Sequence, residues 1–166
     1  MTLYTVYGPH KIPTKRLHKG RRIEEPDEFW QQSSELESLR NRQGVYVFGM
    51  RAGLGITPYY VGKTVRGFED ECFAYHKLDK YHEAINNQAG KPVMFFIARP
   101  IGRGKIQSKQ IRQIEEFLIR LAVSKNPGLL NIKKKKSPRW SISGVVRATQ
   151  GQPTKAAQRL RAMLNI

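Results

Sequence analysis

Two segments, Gly44-Val45-Tyr46-Val47-Phe48 and Tyr59-Tyr60-Val61, constrain this chain more than any other feature. Both are rich in β-branched and aromatic residues, and Gly53, Gly55 and Pro58 lie between them. They therefore predict two strands joined as an antiparallel hairpin. A third run, Pro92-Val93-Met94-Phe95-Phe96-Ile97-Ala98, predicts a strand apolar enough to be central and buried. Helical signals surround these strands. Pro26 suits a first helical position, and Phe29, Trp30, Leu36 and Leu39 give residues 26–42 an apolar face. Residues 69–88 read as largely helical with a break near residues 78–81. Residues 107–124 repeat Ile111, Ile114, Leu118 and Leu121 at helical spacing and stop at Asn126-Pro127-Gly128. A short helix over residues 153–164 places Ala156, Leu160, Met163 and Leu164 on one stripe. The expected fold class is α/β (α+β), a small, mostly antiparallel three-stranded sheet flanked by helices. Three regions follow: residues 1–42 as a basic arm and leading helix, 43–132 as the central domain, and 133–166 as a lysine-rich segment with a helix packing on it.

Charge is the second constraint. Thirty Lys and Arg face thirteen Asp and Glu, for a formal net charge of +17. The basic residues are segregated. Lys11, Lys15, Arg16, Lys19, Arg21 and Arg22 precede the first acid, and the 50 residues after Glu116 carry eleven Lys or Arg and no acid. Two basic regions flanking a balanced centre suit a phosphate backbone, so nucleic acid is the expected partner. Lys133, Lys134, Lys135 and Lys136 form the densest run, either a phosphate contact or a solvated loop. No apolar stretch is long enough for a membrane span, and the first twenty residues lack a secretory pattern. A single cysteine, Cys72, excludes an internal disulfide and a cysteine-based zinc site. A cytoplasmic protein with no membrane partner is expected.

Gly62-Lys63-Thr64 looks like the end of a nucleotide phosphate loop, but Thr57 stands where that loop needs its first glycine. Pro58, Tyr59 and Tyr60 then block the backbone from cradling phosphates. The better reading joins the strands: Gly44-Val45-Tyr46 is followed fourteen residues later by Tyr60-Val61-Gly62-Lys63-Thr64. In a hairpin this brings two tyrosines and a lysine together at a sheet edge. Downstream come acids at a helix start (Glu69, Asp70, Glu71), His76, Glu115 in Glu-Glu-Phe-Leu-Ile, and Asn126-Pro127-Gly128-Leu129-Leu130-Asn131.

In this order the motifs resemble the GIY-YIG nuclease family over residues 44–131. The resemblance implies a metal-dependent DNA endonuclease that hydrolyses phosphodiester bonds, with duplex DNA as partner. It makes Tyr46 the general base or its relay, with Lys63 the cation that would lower its pKa. Tyr60 would hold the phosphate or position the water, and His76 would ligate phosphate or activate water. Glu115 would hold a single Mg²⁺ or Mn²⁺, and Asn131 would orient the glutamate or the substrate. The chain departs from the family at one position. The family's helical Arg, four residues before the His, is Cys72 here, so Arg66 or Lys77 is expected to supply the phosphate grip. The competing expectation is a catalytically inactive nucleic-acid-binding module on the same fold. Tyr75 and Tyr81 either stack on bases or pack, and Cys72 is read as ordinary packing.

Overall fold

The hairpin forms as β4 (Gly44–Ala52) and β5 (Gly55–Thr64), paired antiparallel with Tyr46 opposite Gly62 and Val45 opposite Lys63. The structure, a computed structural model, describes residues 2–102, 104–131 and 153–164. The loop between the strands is shorter than the sequence suggests, because β5 already starts at Gly55 and contains Pro58. Proline is tolerated there because β5 is an edge strand, and the register slips between Phe48 and Gly49 opposite this stretch.

Among the described residues the sheet has four strands, not three, in the order β1-β6-β4-β5. β6 (Lys91–Ala98) is interior, as its apolar sequence requires, with β4 on one side. On its other side lies β1 (Thr5–Lys11), antiparallel to it from Thr5 opposite Ala98 to Lys11 opposite Val93. The residues read as a free arm therefore complete the sheet: without β1, the apolar β6 would expose an unpaired edge. The chain continues into a two-stranded ribbon, β2 (Thr14–Arg16) and β3 (Arg21–Ile23). Ile12 and Ile23 on either side of the ribbon are buried in the same core as the hairpin.

Side chains alternate across the sheet, which sorts the helices into two layers. Tyr46, Phe48 and Met50 of β4 join one cluster with residues of four helices. These are α1 (Pro26–Trp30), α2 (Ser34–Leu39), α3 (Phe68–Cys72) and α4 (Tyr75–Asn87). Val45 and Val61 face the opposite layer, where α5 (Ser108–Lys125) supplies Ile111, Ile119 and Ala122.

Two helix boundaries differ from expectation, each for a local reason. The helix expected over residues 26–42 is two, because the Ser33 hydroxyl accepts a hydrogen bond from the Leu36 amide at 3.2 Å and starts a new helix. The break expected near residues 78–81 lies at Phe73 and Ala74. The Tyr81 hydroxyl reaches back to the Cys72 carbonyl at 2.8 Å and satisfies the end of α3. Cys72 itself is fully buried, and burial pushes its thiol well above the usual range. Residues 136–166 form a separate unit, in which α6 (Lys155–Leu164) is helical where expected. Lys133, Lys134, Lys135 and Lys136 lie outside the described residues. No helix among the described residues is long and apolar enough to cross a membrane.

Candidate functional site

The motif residues fall on both faces of the β4–β5 hairpin. Tyr46 and Tyr60 share a face, their ring centroids 6.4 Å apart. Lys63, three positions after Tyr60, points to the other face by strand alternation. There its Nζ lies 3.3 Å from Glu115 Oε2. Glu115 sits on the buried stripe of α5 with Ile111, Ile119 and Ala122, an acid where helical spacing calls for an apolar residue. Leu121, expected on that stripe, is half exposed. A carboxylate so placed needs a partner, and Lys63 supplies one.

Tyr46 is fully buried, and among the described residues its hydroxyl finds no hydrogen-bond partner of good geometry. The neighbouring Tyr81 hydroxyl donates to the Cys72 carbonyl instead. Burial first, then Tyr81, Cys72, Tyr60 and Glu71, push the Tyr46 phenol well above its ordinary value. The expected activation by Lys63 is absent from this geometry, because the two side chains leave the sheet on opposite faces. The cation over the Tyr46 ring is Lys77, its Nζ 5.3 Å from the centroid. Lys77 is buried, bonded through Nζ to the Glu71 carbonyl at 3.0 Å and ion-paired with the Glu71 carboxylate. Tyr60 is partly buried, and its phenol is pushed up to about 12 by burial and then by the Glu115 carboxylate.

His76 does not join this group. It is exposed on α4 while its neighbour Lys77 turns inward. The sequence held the signal: Lys77, Tyr81, Ala84 and Ile85 follow a helical stripe, and Lys77 is its first member. Glu71, which the sequence places among the acids of a helix start, is the partner of Lys77. Arg66 is exposed just beyond the end of β5, and its carbonyl accepts from Gln43 Nε2 at 3.0 Å.

Asn131 has a more specific task than orienting Glu115. Its Oδ1 accepts from the Val61 amide at 2.9 Å, and its Nδ2 donates to the Val61 carbonyl at 2.7 Å. One side-chain amide thus mimics the peptide of a neighbouring strand. The Leu130 amide donates to the Tyr59 carbonyl at 2.7 Å, and Asn126 Nδ2 to the Pro58 carbonyl at 2.8 Å. Together these bonds cover the outer edge of β5, which among the described residues has no partner strand.

Among the described residues no group of three or more His, Cys, Asp or Glu could hold a metal ion. Glu115 is the acid nearest the motif residues of β5, through Lys63. A hard divalent ion commonly takes one or two protein carboxylates, several waters and substrate phosphate oxygens, so a single glutamate is compatible with one.

Of the basic residues, Lys11, Lys15, Arg16, Lys19 and Arg22 are exposed, whereas Arg21 is spent inside the protein. Its guanidinium donates to the carbonyls of Ile85, Gln88 and Gly90. Compared with known proteins, the chain matches no family model, no curated protein and no solved structure.

Proposed function

We propose that this chain is a GIY-YIG-type, metal-dependent DNA endonuclease that hydrolyses phosphodiester bonds at the outer face of β5. The observation that carries the reading is the Lys63–Glu115 pair at 3.3 Å on the strand that bears the second motif, with the Glu115 carboxylate near enough to Tyr60 to raise its phenol. Glu115 would hold Mg²⁺ or Mn²⁺ together with phosphate oxygens and water. A divalent ion so bound lowers the pKa of its water and neutralises charge on the phosphate. Lys63 sits where a cation stabilises the charge that develops on the phosphate during attack. Tyr60 keeps its proton at neutral pH, because its pKa is about 12, and so serves as a hydrogen-bond donor to a phosphate oxygen or to the water. Tyr46, also protonated, acts as a neutral phenol and not as a phenolate base. Arg66 is the exposed candidate for the phosphate grip, since Lys77 is occupied by Glu71. The exposed Lys11, Lys15, Arg16, Lys19 and Arg22, with Lys133, Lys134, Lys135 and Lys136, would hold the duplex backbone.

A second reading, a noncatalytic nucleic-acid-binding module, is favoured by one observation. Cys72, at the position of the family's helical Arg, is fully buried, so that position offers no cation to a phosphate. Scission of supercoiled plasmid separates the two. Metal-dependent nicking that is lost in chelator and in Glu115→Ala supports the nuclease. Salt-sensitive binding with no nicking of plasmid, single-stranded or branched substrates at any metal concentration supports the module.

A further inference from the structure

The basic ribbon is held rigidly against α4, and a cleft lies between them. Arg21 and Asn86 form a reciprocal pair, the Arg21 amide donating to Asn86 Oδ1 at 2.7 Å and Asn86 Nδ2 to the Arg21 carbonyl at 3.0 Å. The Ile23 amide donates to His82 Nε2 at 3.3 Å, and the Arg21 guanidinium grips three carbonyls beyond. These bonds fix β2 and β3 along the outer face of α4 without using Lys15 or Arg22, which stand opposite each other on the ribbon. The cleft that remains has a volume of about 350 Å³, and Leu17, Arg22, Tyr75, Leu78 and His82 line it. Asp79 and Arg21 also belong to its lining.

Tyr75 decides what this cleft suits. It is 81% exposed, an aromatic ring that packs into no core. An exposed ring beside a positively charged ribbon combines the two elements that hold single-stranded nucleic acid: a stacking surface for a base and cations for its phosphates. In a duplex the bases are already stacked on one another, so a Tyr75 ring gains this contact only from an unpaired nucleotide. Leu17 and Leu78 add apolar surface to the same cleft.

We propose that the cleft between the β2–β3 ribbon and α4 binds an unpaired nucleotide, its base on Tyr75 and its phosphate on Arg22. This deepens the nucleic-acid reading above, on which it rests for its polyanion. It makes the substrate a DNA with a single-stranded segment, such as a flap, gap or branch. α4 joins the two sites, since Tyr75 opens the helix whose next buried residue, Lys77, lies over Tyr46.

The test is fluorescence anisotropy with a labelled oligothymidylate of about twelve nucleotides, a span that one such site can cover, and with a duplex of the same length. Both are titrated in chelator, so that cleavage plays no part. Tyr75→Ala is expected to weaken single-strand binding about ten-fold while duplex binding changes less than about two-fold. Tyr75→Phe, which keeps the ring, should bind as the wild type does. Arg22→Ala should lower the salt dependence of single-strand binding by about 0.7 in log–log slope. Unchanged single-strand affinity in Tyr75→Ala, or an equal loss for strand and duplex, overturns the proposal. Circular dichroism of each variant confirms that the fold is intact before affinities are compared. A failure to nick plasmid bears on the nuclease reading alone, and a failure to select single strand bears on this cleft alone.

Discussion

The ring of Tyr46 fills the space that any side chain at Gly62 would need, directly across the β4–β5 ladder. A Cβ built at residue 62 would fall among the ring and hydroxyl atoms of Tyr46. The glycine in Tyr60-Val61-Gly62 is thus a packing requirement set by the tyrosine in Gly44-Val45-Tyr46. Each motif explains a residue of the other.

Gly62→Ala should therefore be destabilised by about 1–3 kcal/mol through overpacking against a ring with nowhere to move. Urea denaturation followed by tryptophan fluorescence would measure it. The double variant Tyr46→Ala/Gly62→Ala should lose less than the sum of the two single changes. Strict additivity would mean that the two positions do not share this space.

Asn131 clamps the backbone of β5 at Val61. Replacing it with Ala leaves a buried amide and a buried carbonyl unpaired, which should lower stability by about 2–4 kcal/mol. Asn131→Asp should cost as well, because a carboxylate can accept from the Val61 amide but cannot donate to its carbonyl. A stability equal to wild type in the Asp variant would show that the donating half of the clamp is idle.

Burial, and then the Glu115 carboxylate, push the Tyr60 phenol up to about 12 in the fold, against about 10 for a phenol in an unfolded chain. The fold favours its neutral form, so this contribution is complete below about pH 10 and is lost as pH rises through 12. Tyr46, Tyr81 and Tyr4 are raised for the same first reason, burial. A spectrophotometric phenolate titration, run beside circular dichroism and repeated on Tyr60→Phe, tests this. The Tyr60 signal, taken as the difference from Tyr60→Phe, should appear near pH 12 and not near pH 10. Its appearance near pH 10 in a folded protein would contradict the burial argument.

Arg21 braces the ribbon on α4 through the carbonyls of Ile85, Gln88 and Gly90. Lysine keeps the charge but lacks the fork that reaches several carbonyls at once. Arg21→Lys should speed hydrogen exchange at the ribbon amides of Leu17 and Ile23 by about ten-fold or more, while the amides of β4 and β6 stay protected. Uniform acceleration across the sheet would instead mark Arg21 as part of the global fold.

The hairpin, the buried third strand and the long helix before Asn126 could be read in the sequence because each is local. A strand or helix declares itself through periodicity within ten or twenty residues. The fourth strand was legible only in part: Leu3 to Tyr7 is a short β-like run, but Gly8-Pro9 punctuates it. Thr5–Lys11 mixes polar residues, a glycine and a proline, and becomes a strand through pairing with β6, more than eighty residues away. The helix break at Phe73 was equally hidden, since the group that satisfies it is the Tyr81 hydroxyl on the following helix.

For the candidate site, the sequence by itself determined which residue types are present and that Tyr46, Tyr60 and Lys63 ride on one hairpin. The expectation that both tyrosines and the lysine meet at one sheet edge gives way to strand alternation, which sends Lys63 and Tyr60 to different faces of β5. Only the tertiary structure decided which helix meets each face. α5 brings Glu115 to Lys63, α4 brings Lys77 and not His76 to Tyr46, and the chain after α5 turns Asn131 onto Val61. The reason is physical: periodicity tells a residue which side of its own element it occupies, whereas ion pairs, burial and pKa depend on what the rest of the chain packs against that side.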